Sequence, residues 1–580
     1  MKILLLCHSF NSLSQRCYCE LVAAGHDVSV EFDIADSVTE EAVALWQPDL
    51  VVAPFLKRRI PEAVWRRVRC LVVHPGIVGD RGPSALDWAV MDGEREWGVT
   101  VLEANGEFDA GDVWASVPFA MRDAAKGSLY RREVTAAAVS ALLSALAKIG
   151  RGEQATPLRA FAQARGRARP LVKQTDRAIA WNADDTATVL RKIRAADGMP
   201  GVADVVLGLD VRLFDAHPEG DPALRPAAAT AGAVLAQRDG AILRATRDGA
   251  VWITHLAPVA EEGVGLKLPA GMVLGDRLAA VPDAPLDPAT PVAYATWRSI
   301  EYVEEGAVGF LHFPFYNGAM GTAQCEALRA AYAQAKRRPT RVIALMGGPD
   351  FWSNGIHLNL IEAAAHPAEE SWRNINAMND LVREIIDTPR QLTLAALQGN
   401  AGAGGCFLAL AADRVHAREG VILNPHYKGM GNLYGSEYWT YLLPRRVGEA
   451  GARALTQRRL PMQAREAAAC GLVDAAFGAD VPAFRREIAA RAHAWAADPA
   501  FVRLLADKAR LRAQDEARRP LVAYREAELA RMRENFFGFD PSYHVARFHF
   551  VHKVPRSRTP LHLARHRVGA QPSATMGARA

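Results

Sequence analysis

A histidine and an aspartate near the start of the chain have the types and placement that proton-transfer chemistry requires. His74 ends a short apolar run typical of a buried strand, and a polar, glycine-rich loop follows it. A second apolar run leads to Asp109, which lies in an Asp-x-Gly turn. Ligands of open α/β sheets bind where strands end, so these two side chains could meet beside a substrate. Both are also common in purely structural turns, so on their own they leave both interpretations open.

The motif HPGIVGDRGPSALDW, which begins at His74, resembles the hydrolase and transferase family that uses N10-formyl-tetrahydrofolate. The resemblance implies that His74 and Asp109 are the catalytic pair. It also implies that the loop binds this formyl donor, through Pro75, Gly76, Arg81 and Gly82. Family members carry Asn two residues before the histidine, where this chain has Val72. Another donor must therefore hold the formyl oxygen.

Two glycine-rich turns later in the chain indicate a second site. The first runs through Gly355 and Ile356, the second through Gly404, and each joins an apolar strand to a helix. Glycine lets backbone N–H groups approach a ligand closely, and two convergent N–H donors form an oxyanion hole for an acyl carbonyl. Either turn alone is equally compatible with close packing of a helix on a strand.

Together, the two turns resemble the crotonase (enoyl-CoA hydratase/isomerase) superfamily. By position, the N–H groups of Ile356 and Gly404 would be the oxyanion donors. Coenzyme A would lie along the turns, at Phe351, Asn354, Gly355 and Gly405. Hydratases have glutamates where this chain has Phe407 and His426, so hydration of an enoyl-CoA is not expected.

The stretch NPHYKGMGNLYGSEYW supplies other groups that can move protons. Glu437 lies among aromatic residues, and burial would raise the pKa of its carboxyl group. We predict that Glu437 carries the proton of the second reaction, together with Tyr434 or Tyr438. Tyr427, Tyr434 and Tyr438 are equally compatible with a role in packing.

Length and composition exclude several classes of protein. A chain of 580 residues is too long for one core, and 50% hydrophobic with 23% charged residues is ordinary for a globular protein. A net charge of +5 does not by itself indicate a nucleic-acid partner, and we expect none. The seven scattered cysteines fit a reducing cytoplasm and show no metal-ligand spacing, so no metal is expected. No apolar run approaches the length of a membrane span, and we predict a cytoplasmic protein.

The alternation of apolar and polar segments predicts an α/β protein of several domains. We expect a doubly wound formyltransferase-like domain over residues 1–160, a small β-rich domain over 161–267, a linker at 268–291, a crotonase-like domain that binds CoA and ends in helices over 292–541, and a basic tail over 542–580. The tail is rich in histidine, and we expect it to be docked or loosely ordered.

This domain order resembles the HypX (HoxX) family, which matures nickel–iron hydrogenases. The resemblance implies that the first domain moves a formyl group from N10-formyl-tetrahydrofolate to CoA, and that the second splits formyl-CoA into carbon monoxide and CoA. The gas would become a ligand of the hydrogenase iron, so hydrogenase maturation proteins are expected partners beside the two small molecules. Three alternatives stay open: a methionyl-tRNA-type formyltransferase, a formyl-CoA hydrolase, and a non-enzymatic docking platform with bound CoA.

Overall fold

The computed structural model describes residues 1–162, 164–226 and 228–568, and it divides into two compact units. Residues 1–123, 129–172 and the described part of 555–580 form the first unit. The second unit consists of residues 124–128 and 173–554. Each unit is therefore assembled from segments that are distant in sequence.

The first unit is built on one six-stranded sheet with the strand order β2-β1-β3-β4-β5-β6. Its strands are β1 (Lys2–Cys7), β2 (Asp27–Phe32), β3 (Leu50–Phe55), β4 (Cys70–His74), β5 (Glu96–Glu103) and β6 (Val113–Ala120). The first four strands are parallel and almost entirely buried, which is why they read as continuous apolar runs. The predicted doubly wound beginning of the chain is confirmed.

Helices flank this sheet and join its strands. They are α1 (Ser12–Ala23), α2 (Asp36–Trp46), α3 (Glu62–Trp65), α4 (Ala85–Met91) and α6 (Thr135–Gly150), whereas the short helix α5 (Lys126–Leu129) lies mostly in the segment 124–128 of the second unit. Ser84 occupies the N-cap position of α4, but its hydroxyl accepts the N–H of Val172 and makes no cap hydrogen bond. The stretch Lys126–Gly150 is long and apolar enough to cross a membrane, yet Ala138 and Leu142 of α6 are buried against β5 and β6. This helix is part of the core of the first unit.

The second half of the sheet differs from the predicted doubly wound fold. β5 runs antiparallel to β4, and β6 antiparallel to β5, so Asp109 lies in a hairpin loop. The alternating segment Val113–Ala120 forms the second of these antiparallel strands.

A segment from the end of the chain completes the open edge of this sheet. The N–H of Val30 in β2 donates to the carbonyl of Leu563 over 3.0 Å. Glu31 is fully buried and accepts hydrogen bonds from Thr559, from His566 Nε2 at 2.9 Å and from Arg567 Nε at 2.9 Å. Of the two states expected for the tail, this part is docked, while residues 569–580 lie outside the described residues.

In the second unit, residues 173–283 contain a β-rich fold with the strand order β7-β8-β11-β10-β9. The strands are β7 (Val202–Val206), β8 (Leu209–Glu219), β9 (Val234–Arg238), β10 (Ala241–Ala245), β11 (Ala250–Ala260), β12 (Gly263–Val264) and β13 (Leu268–Pro269). The helices α7 (Thr186–Ala196) and α8 (Ala270–Leu274) pack on them. β7 and β8 form a hairpin, because Leu207 and Gly208 both turn the chain with positive φ.

The predicted linker at 268–291 is corrected by the structure. Its first part forms β13 and α8, and Ala270, Leu274 and Leu278 lie in the core of the β-rich fold. Ala270 and Leu274 are four residues apart and share one face of α8, and Leu278 follows at the end of a short 3-10 turn. The composition of the segment, rich in Pro and Asp, had concealed this short periodicity.

The rest of the second unit has the architecture of a crotonase-like domain, with two sheets. Their strands are β14 (Glu301–Glu305), β15 (Val308–His312), β16 (Val342–Gly347), β17 (Phe351–Ser353), β18 (Leu392–Leu397), β19 (Asn400–Gly402), β20 (Arg414–Arg418), β21 (Ile422–Asn424), β22 (Met462–Gln463) and β23 (Ala475–Phe477). One sheet has the order β14-β15-β16-β18-β20-β23, and the other β17-β19-β21-β22. The two sheets place the expected glycine turns at the ends of β17 and β19.

Ten helices accompany these sheets in the described chain. They are α9 (Thr322–Ala335), α10 (Leu358–Ala363), α11 (Pro367–Ile386), α12 (Gly404–Leu410), α13 (Trp439–Arg458), α14 (Ala464–Ala469), α15 (Val481–Ala496), α16 (Phe501–Arg518), α17 (Leu521–Phe537) and α18 (Ser542–Val551). α18 falls in the segment expected to be a tail, yet its Tyr543 is buried and hydrogen-bonded to Ser371 over 2.8 Å. The first part of that segment is therefore a regular helix of the second unit.

Candidate functional sites

His74, at the end of β4, has a carboxylate beside each nitrogen of its buried imidazole. Nε2 lies 3.0 Å from Oδ1 of Asp80, and Nδ1 lies 3.4 Å from Oδ1 of Asp109. An ionised carboxylate can only accept hydrogen bonds, so the pairing with Asp80 places a proton on Nε2. The structure thus brings the predicted pair together, and it fixes a ring that can exchange protons through either nitrogen.

Asp80 is a site residue that the sequence analysis missed. It is only 2% exposed, and its second carboxylate oxygen lies 4.0 Å from Nε of Arg169. A buried carboxylate is costly without partners, and in the described chain only Oδ1 is hydrogen-bonded, to His74, while Oδ2 is within ion-pair distance of Arg169 without a hydrogen bond. The signal that could have identified it is an acidic side chain inside a glycine-bounded loop next to a candidate histidine.

The turn after His74 is shaped by Pro75 and Gly76, as the prediction of a functional loop requires. The carbonyl of Pro75 accepts the Trp97 indole N–H at 2.9 Å, and that of Gly76 accepts the Thr100 hydroxyl at 2.8 Å. A Cβ atom on Gly76 would lie 2.3 Å from Nε2 of His74. Glycine at this position is therefore what allows the chain to pass the imidazole.

The remaining predicted loop residues divide into two groups. Gly82 reaches the site, since its N–H donates to Oδ2 of Asp109 over 3.2 Å, and Asp109 itself has a φ of +51°. The side chain of Arg81 instead lies 3.5 Å from the exposed Glu107 and is 40% exposed. Arg81 contributes its backbone, which is bridged to Ala168.

In the second unit, the two glycine turns are in direct contact. The indole N–H of Trp352 donates to the carbonyl of Gly405 at 2.9 Å, and a Cβ on Gly405 would lie 2.0 Å from the carbonyl oxygen of Ser353. A Cβ on Gly355, whose φ is +79°, would lie 3.3 Å from the nitrogen of Gly404. These approaches are possible only because the positions are glycines.

The contact places two backbone donors in one region. Gly404 is the first residue of α12, so its N–H has no intrahelical acceptor. Ile356 follows Gly355, and the chain there is tied to Met320 by an isolated bridge. A helix N-terminal N–H beside a second turn is the arrangement that an oxyanion hole uses.

Phe351 and Asn354, predicted to contact CoA, belong to the first of these turns. Phe351 is half-buried in β17, and Asn354 is exposed with its amide donating to the carbonyl of Asn317 over 2.8 Å. Both lie on the chain that leads to Gly355, which keeps them at the edge of the candidate site.

The carboxyl group of Glu437 lies against the start of α12. A Cβ on Gly404 would be 2.3 Å from Oε1, while Oε2 accepts hydrogen bonds from the Tyr427 hydroxyl and, at 3.1 Å, from the N–H of Ser436. Glu437 is 1% exposed. Burial is the main cause that raises the pKa of Glu437 to about 7. The hydrogen bond from Tyr427 acts in the opposite direction, and the nearby charge of Glu528 contributes to the increase. This carboxyl group can accept or release a proton near neutral pH.

The hydroxyl that reaches Glu437 is that of Tyr427, and the structure gives Tyr434 and Tyr438 other surroundings. Burial and the charge of Glu437 hold the pKa of Tyr427 well above its usual range. Tyr434 is half-buried and Tyr438 is fully buried. Within the described part of the chain, neither of their hydroxyls is hydrogen-bonded to Glu437. The motif contained three tyrosines, and spacing alone could not select among them.

Phe407, at the position of a hydratase glutamate, supports this tyrosine. Its ring lies nearly parallel to that of Tyr427, with centroids 5.2 Å apart. A side chain that would handle water in a hydratase is thus replaced by an apolar platform. This site is built around one buried carboxyl group and one tyrosine.

Comparisons with known proteins match both units. The family model "Formyl transferase" covers residues 28–146, "Formyl transferase, C-terminal domain" covers 171–264, and "Enoyl-CoA hydratase/isomerase" covers 311–540. A methionyl-tRNA formyltransferase from Desulfotalea psychrophila is 30% identical over 38% of this chain and 66% of its own.

Two relatives match along the whole chain. The hydrogenase maturation factor HoxX of Bradyrhizobium diazoefficiens is 56% identical over 100% of this chain and 99% of its own. The crystal structure of HypX from Aquifex aeolicus in complex with tetrahydrofolic acid is 49% identical, covers 98% of this chain and 99% of its own, and superposes with a TM-score of 0.93. The chain therefore belongs to the HypX/HoxX family of hydrogenase maturation factors.

Proposed function

We propose that this protein makes carbon monoxide for hydrogenase maturation in two steps. It transfers the formyl group of N10-formyl-tetrahydrofolate to CoA, and it then splits formyl-CoA into carbon monoxide and CoA. The family membership, the formyltransferase match and the tetrahydrofolate held by the Aquifex relative support the first step. The observation that carries the second is the buried Glu437–Tyr427 pair at the start of α12.

In the first step, the CoA sulfur attacks the formyl carbon, preferably as a thiolate. The C–S bond forms, the bond from carbon to N10 breaks, and N10 takes up the proton that the thiol has lost. His74 stabilises the tetrahedral oxyanion, and Asp109 handles protons and keeps the imidazole oriented. Asp80, on the other ring nitrogen, fixes the imidazole from the opposite side. Pro75, Gly76, Arg81 and Gly82 border the folate.

In the second step, the C–H and C–S bonds of formyl-CoA both break, and one proton moves from carbon to sulfur. The N–H groups of Ile356 and Gly404 hold the formyl oxygen. Oε1 of Glu437 faces Gly404, so it accepts the proton from carbon and returns it to sulfur, while Tyr427 orients the carboxyl group through Oε2. No oxidant or reductant is needed. CoA is regenerated and lies along Phe351, Asn354, Gly355 and Gly405.

The test uses the purified full-length protein with N10-formyl-tetrahydrofolate and CoA, and ferrous haem to trap the gas. We expect equal amounts of carbon monoxide and tetrahydrofolate to form. We also expect a catalytic amount of CoA to be sufficient, because CoA is regenerated. Formate without carbon monoxide would identify a formyl-CoA hydrolase, formylated initiator tRNA would identify a tRNA formyltransferase, and no turnover would favour a docking platform.

A matched pair of variants locates the second step. Glu437→Gln and Tyr427→Phe should lower carbon monoxide release from supplied formyl-CoA by about 100-fold or more, because they remove the proton carrier and the group that orients it. Tyr434→Phe is the control, since its ring packs on Trp439 and Arg531 and no hydrogen bond joins its hydroxyl to Glu437 in the described chain. Equal losses in Tyr427→Phe and Tyr434→Phe would contradict the assignment of Tyr427.

The family role also supports the proposal of a cytoplasmic protein whose partners are nickel–iron hydrogenase maturation proteins. Co-purification of the full-length protein with these maturation proteins, compared with a bait of unrelated function, tests this part of the proposal.

A further inference from the structure

A second buried carboxyl group lies next to Glu437 and comes from the helix α17. Glu528 is fully buried, although most of α17 faces solvent, and this helix packs on α11 and α13. A buried carboxylate is retained only where donors satisfy it. Its partners therefore indicate what it stabilises.

In the part of the chain that the structure describes, the donors to Glu528 all come from the five-residue segment 436–440, which contains Glu437. Oε1 accepts the N–H of Thr440 at 2.8 Å and its hydroxyl at 2.6 Å. Oε2 accepts the N–H of Tyr438 at 2.9 Å and lies 3.3 Å from the Ser436 hydroxyl. The carboxylate thus holds the chain on both sides of Glu437.

This segment needs external support because its backbone is unfavourable. Glu437 and Tyr438 have φ values of +60° and +57°, a left-handed conformation that costs a residue with a Cβ about 1 kcal/mol or more. Such conformations persist where surrounding groups fix them. Asn379 of α11 accepts the N–H of Glu437 at 2.7 Å, and Glu528 fixes the residues on either side.

We propose that Glu528 is a positioning residue for the second site, whose buried carboxylate holds segment 436–440 in the left-handed conformation that sets Glu437 against Gly404. The proposal rests on the proposed function, since it assumes that Glu437 carries the proton. Glu528 touches no reacting atom and acts only through Glu437.

Charge gives this arrangement a second consequence. Among the described residues, the titratable groups that interact electrostatically with Glu437 are Tyr427, Cys325 of α9 and Glu528. Burial raises the pKa values of Tyr427 and Cys325 far above neutrality, so both stay uncharged. Burial raises the pKa of Glu528 to about 7, and its negative charge opposes the ionisation of Glu437. Glu528 is thus the neighbour whose charge changes in the range where Glu437 titrates.

The experiment compares Glu528→Gln and Glu528→Asp in the full-length protein, with formyl-CoA supplied and carbon monoxide measured against pH. In Glu528→Gln, the NH2 group of the amide faces backbone N–H donors that a carboxylate oxygen had accepted, and the negative charge is lost. We expect kcat to fall about 10- to 100-fold, with KM for formyl-CoA changed less than about threefold. The rising limb of the pH profile should move to lower pH, because Glu437 then ionises more easily.

Glu528→Asp separates the loss of positioning from the loss of charge. It keeps the negative charge, but its side chain is one methylene shorter, so its carboxylate no longer reaches all the donors of segment 436–440. Its kcat should fall while its pH limb stays in place. Glu526→Gln, an exposed change on the same helix, is the matched control and should match the wild type. A wild-type kcat and pH limb in Glu528→Gln would overturn the proposal, as would identical pH limbs in the Gln and Asp variants.

Two further measurements keep the outcomes distinct. If wild-type protein releases no carbon monoxide from formyl-CoA, the proposed function fails, whereas an active wild type with an unaffected Glu528→Gln removes only the role of Glu528. Should Glu528→Gln not fold, Thr440→Val removes one donor to Oε1 and Thr440→Ser keeps it. We expect a several-fold loss in the Val variant and recovery in the Ser variant, and equal rates would overturn the proposal.

Discussion

At the scale of the residue, Glu437 places an ionisable group where ionisation is unfavourable. Its pKa of about 7 lies above the value of 4.5 for an unburied glutamate, so the folded protein binds its proton more tightly than the unfolded chain. The stability associated with this proton is complete below 4.5 and is lost as the pH rises through 7. The group that we propose as proton carrier is therefore a burden on the fold at neutral pH.

Replacing Glu437 with Gln should remove this pH dependence. Relative to the wild type, the free energy of unfolding of Glu437→Gln should rise by about 1–3 kcal/mol between about pH 5 and pH 8, because glutamine does not titrate. Denaturant unfolding at the two pH values measures it. Glu526→Gln is the exposed control. If the difference in the free energy of unfolding between Glu437→Gln and the wild type shrinks as the pH rises, the pKa of Glu437 is not raised by burial.

Asp80 should matter to formyl transfer alone. Asp80→Asn keeps the size of the side chain but removes the carboxylate from Nε2 of His74, so tetrahydrofolate formation should fall about 10- to 100-fold. Carbon monoxide release from supplied formyl-CoA should be unchanged, since that step bypasses His74. Glu96→Gln, an exposed change in the same unit, serves as the control. A variant that forms tetrahydrofolate at the normal rate would remove Asp80 from the site.

The sequence was informative about residues that stand in recognisable motifs. His74, Asp109 and Glu437 could be named because their positions in motifs carried meaning. Asp80 and Tyr427 could not, since their roles arise from loops that fold back onto His74 and Glu437. The spacing of residues in a motif does not show that a loop will fold back onto an earlier or later residue of the same motif.

At the scale of the element, the turn before Glu437 depends on one glycine. Gly435 has a φ of +91°, and a Cβ there would lie 2.0 Å from Cε2 of Tyr427. Gly435→Ala should displace this ring, lower carbon monoxide release from formyl-CoA more than about 10-fold and destabilise the protein by about 1–3 kcal/mol.

Gly448→Ala provides the matched control for that substitution. Gly448 has a φ of +71°, but nothing lies within 4 Å of the position of its Cβ. Gly448→Ala should lower the free energy of unfolding only by the backbone strain, about 1 kcal/mol, and should leave the rate of carbon monoxide release unchanged. Thermal unfolding and the rate assay measure both, and similar rate losses in the two variants would contradict a specific role of Gly435.

Elements with strong periodicity could be predicted, and those with weak signals could not. The buried parallel strands β1 and β3 read directly from their apolar runs. β6 was missed because only one face is buried over most of its length, and α8 because five residues are too few to show a helical period against Pro and Asp neighbours. Both errors concern packing that local sequence does not reveal.

At the scale of the whole molecule, the first unit depends on the segment 555–568. Burial alone would raise the pKa of Glu31, but hydrogen bonds from His566, Thr559 and Arg567 outweigh it, and the pKa is lowered. The ionised carboxylate therefore contributes stability above its usual pKa, and this contribution is lost as the pH falls through the lowered value.

His566→Ala should weaken this attachment. His566 bridges Ser29 at 2.7 Å and Glu31 at 2.9 Å, and its loss leaves a buried charge with fewer donors. We expect a loss of about 1–3 kcal/mol in the free energy of unfolding, measured with denaturant at neutral pH. His549→Ala, an exposed change in α18, should be neutral. Equal effects of the two substitutions would show that the segment does not stabilise the sheet.

The order of domains along the chain was predictable, but the composition of the compact units was not. Sequence patterns are local, whereas Ser29 and His566 meet across 537 residues. The composition of a basic, histidine-rich stretch predicts a tail, because it contains no information about the strand with which the stretch will pair.

The pairing of β2 with Leu563 has a consequence for biogenesis. During translation, the strands of the first unit emerge long before the segment that seals their outer edge, and the nascent chain carries an unsealed sheet while the second unit is made. A product released early would lack the seal over Glu31. Completion of the first unit is thereby tied to completion of the polypeptide, so that truncated chains should expose the unsealed edge of β2.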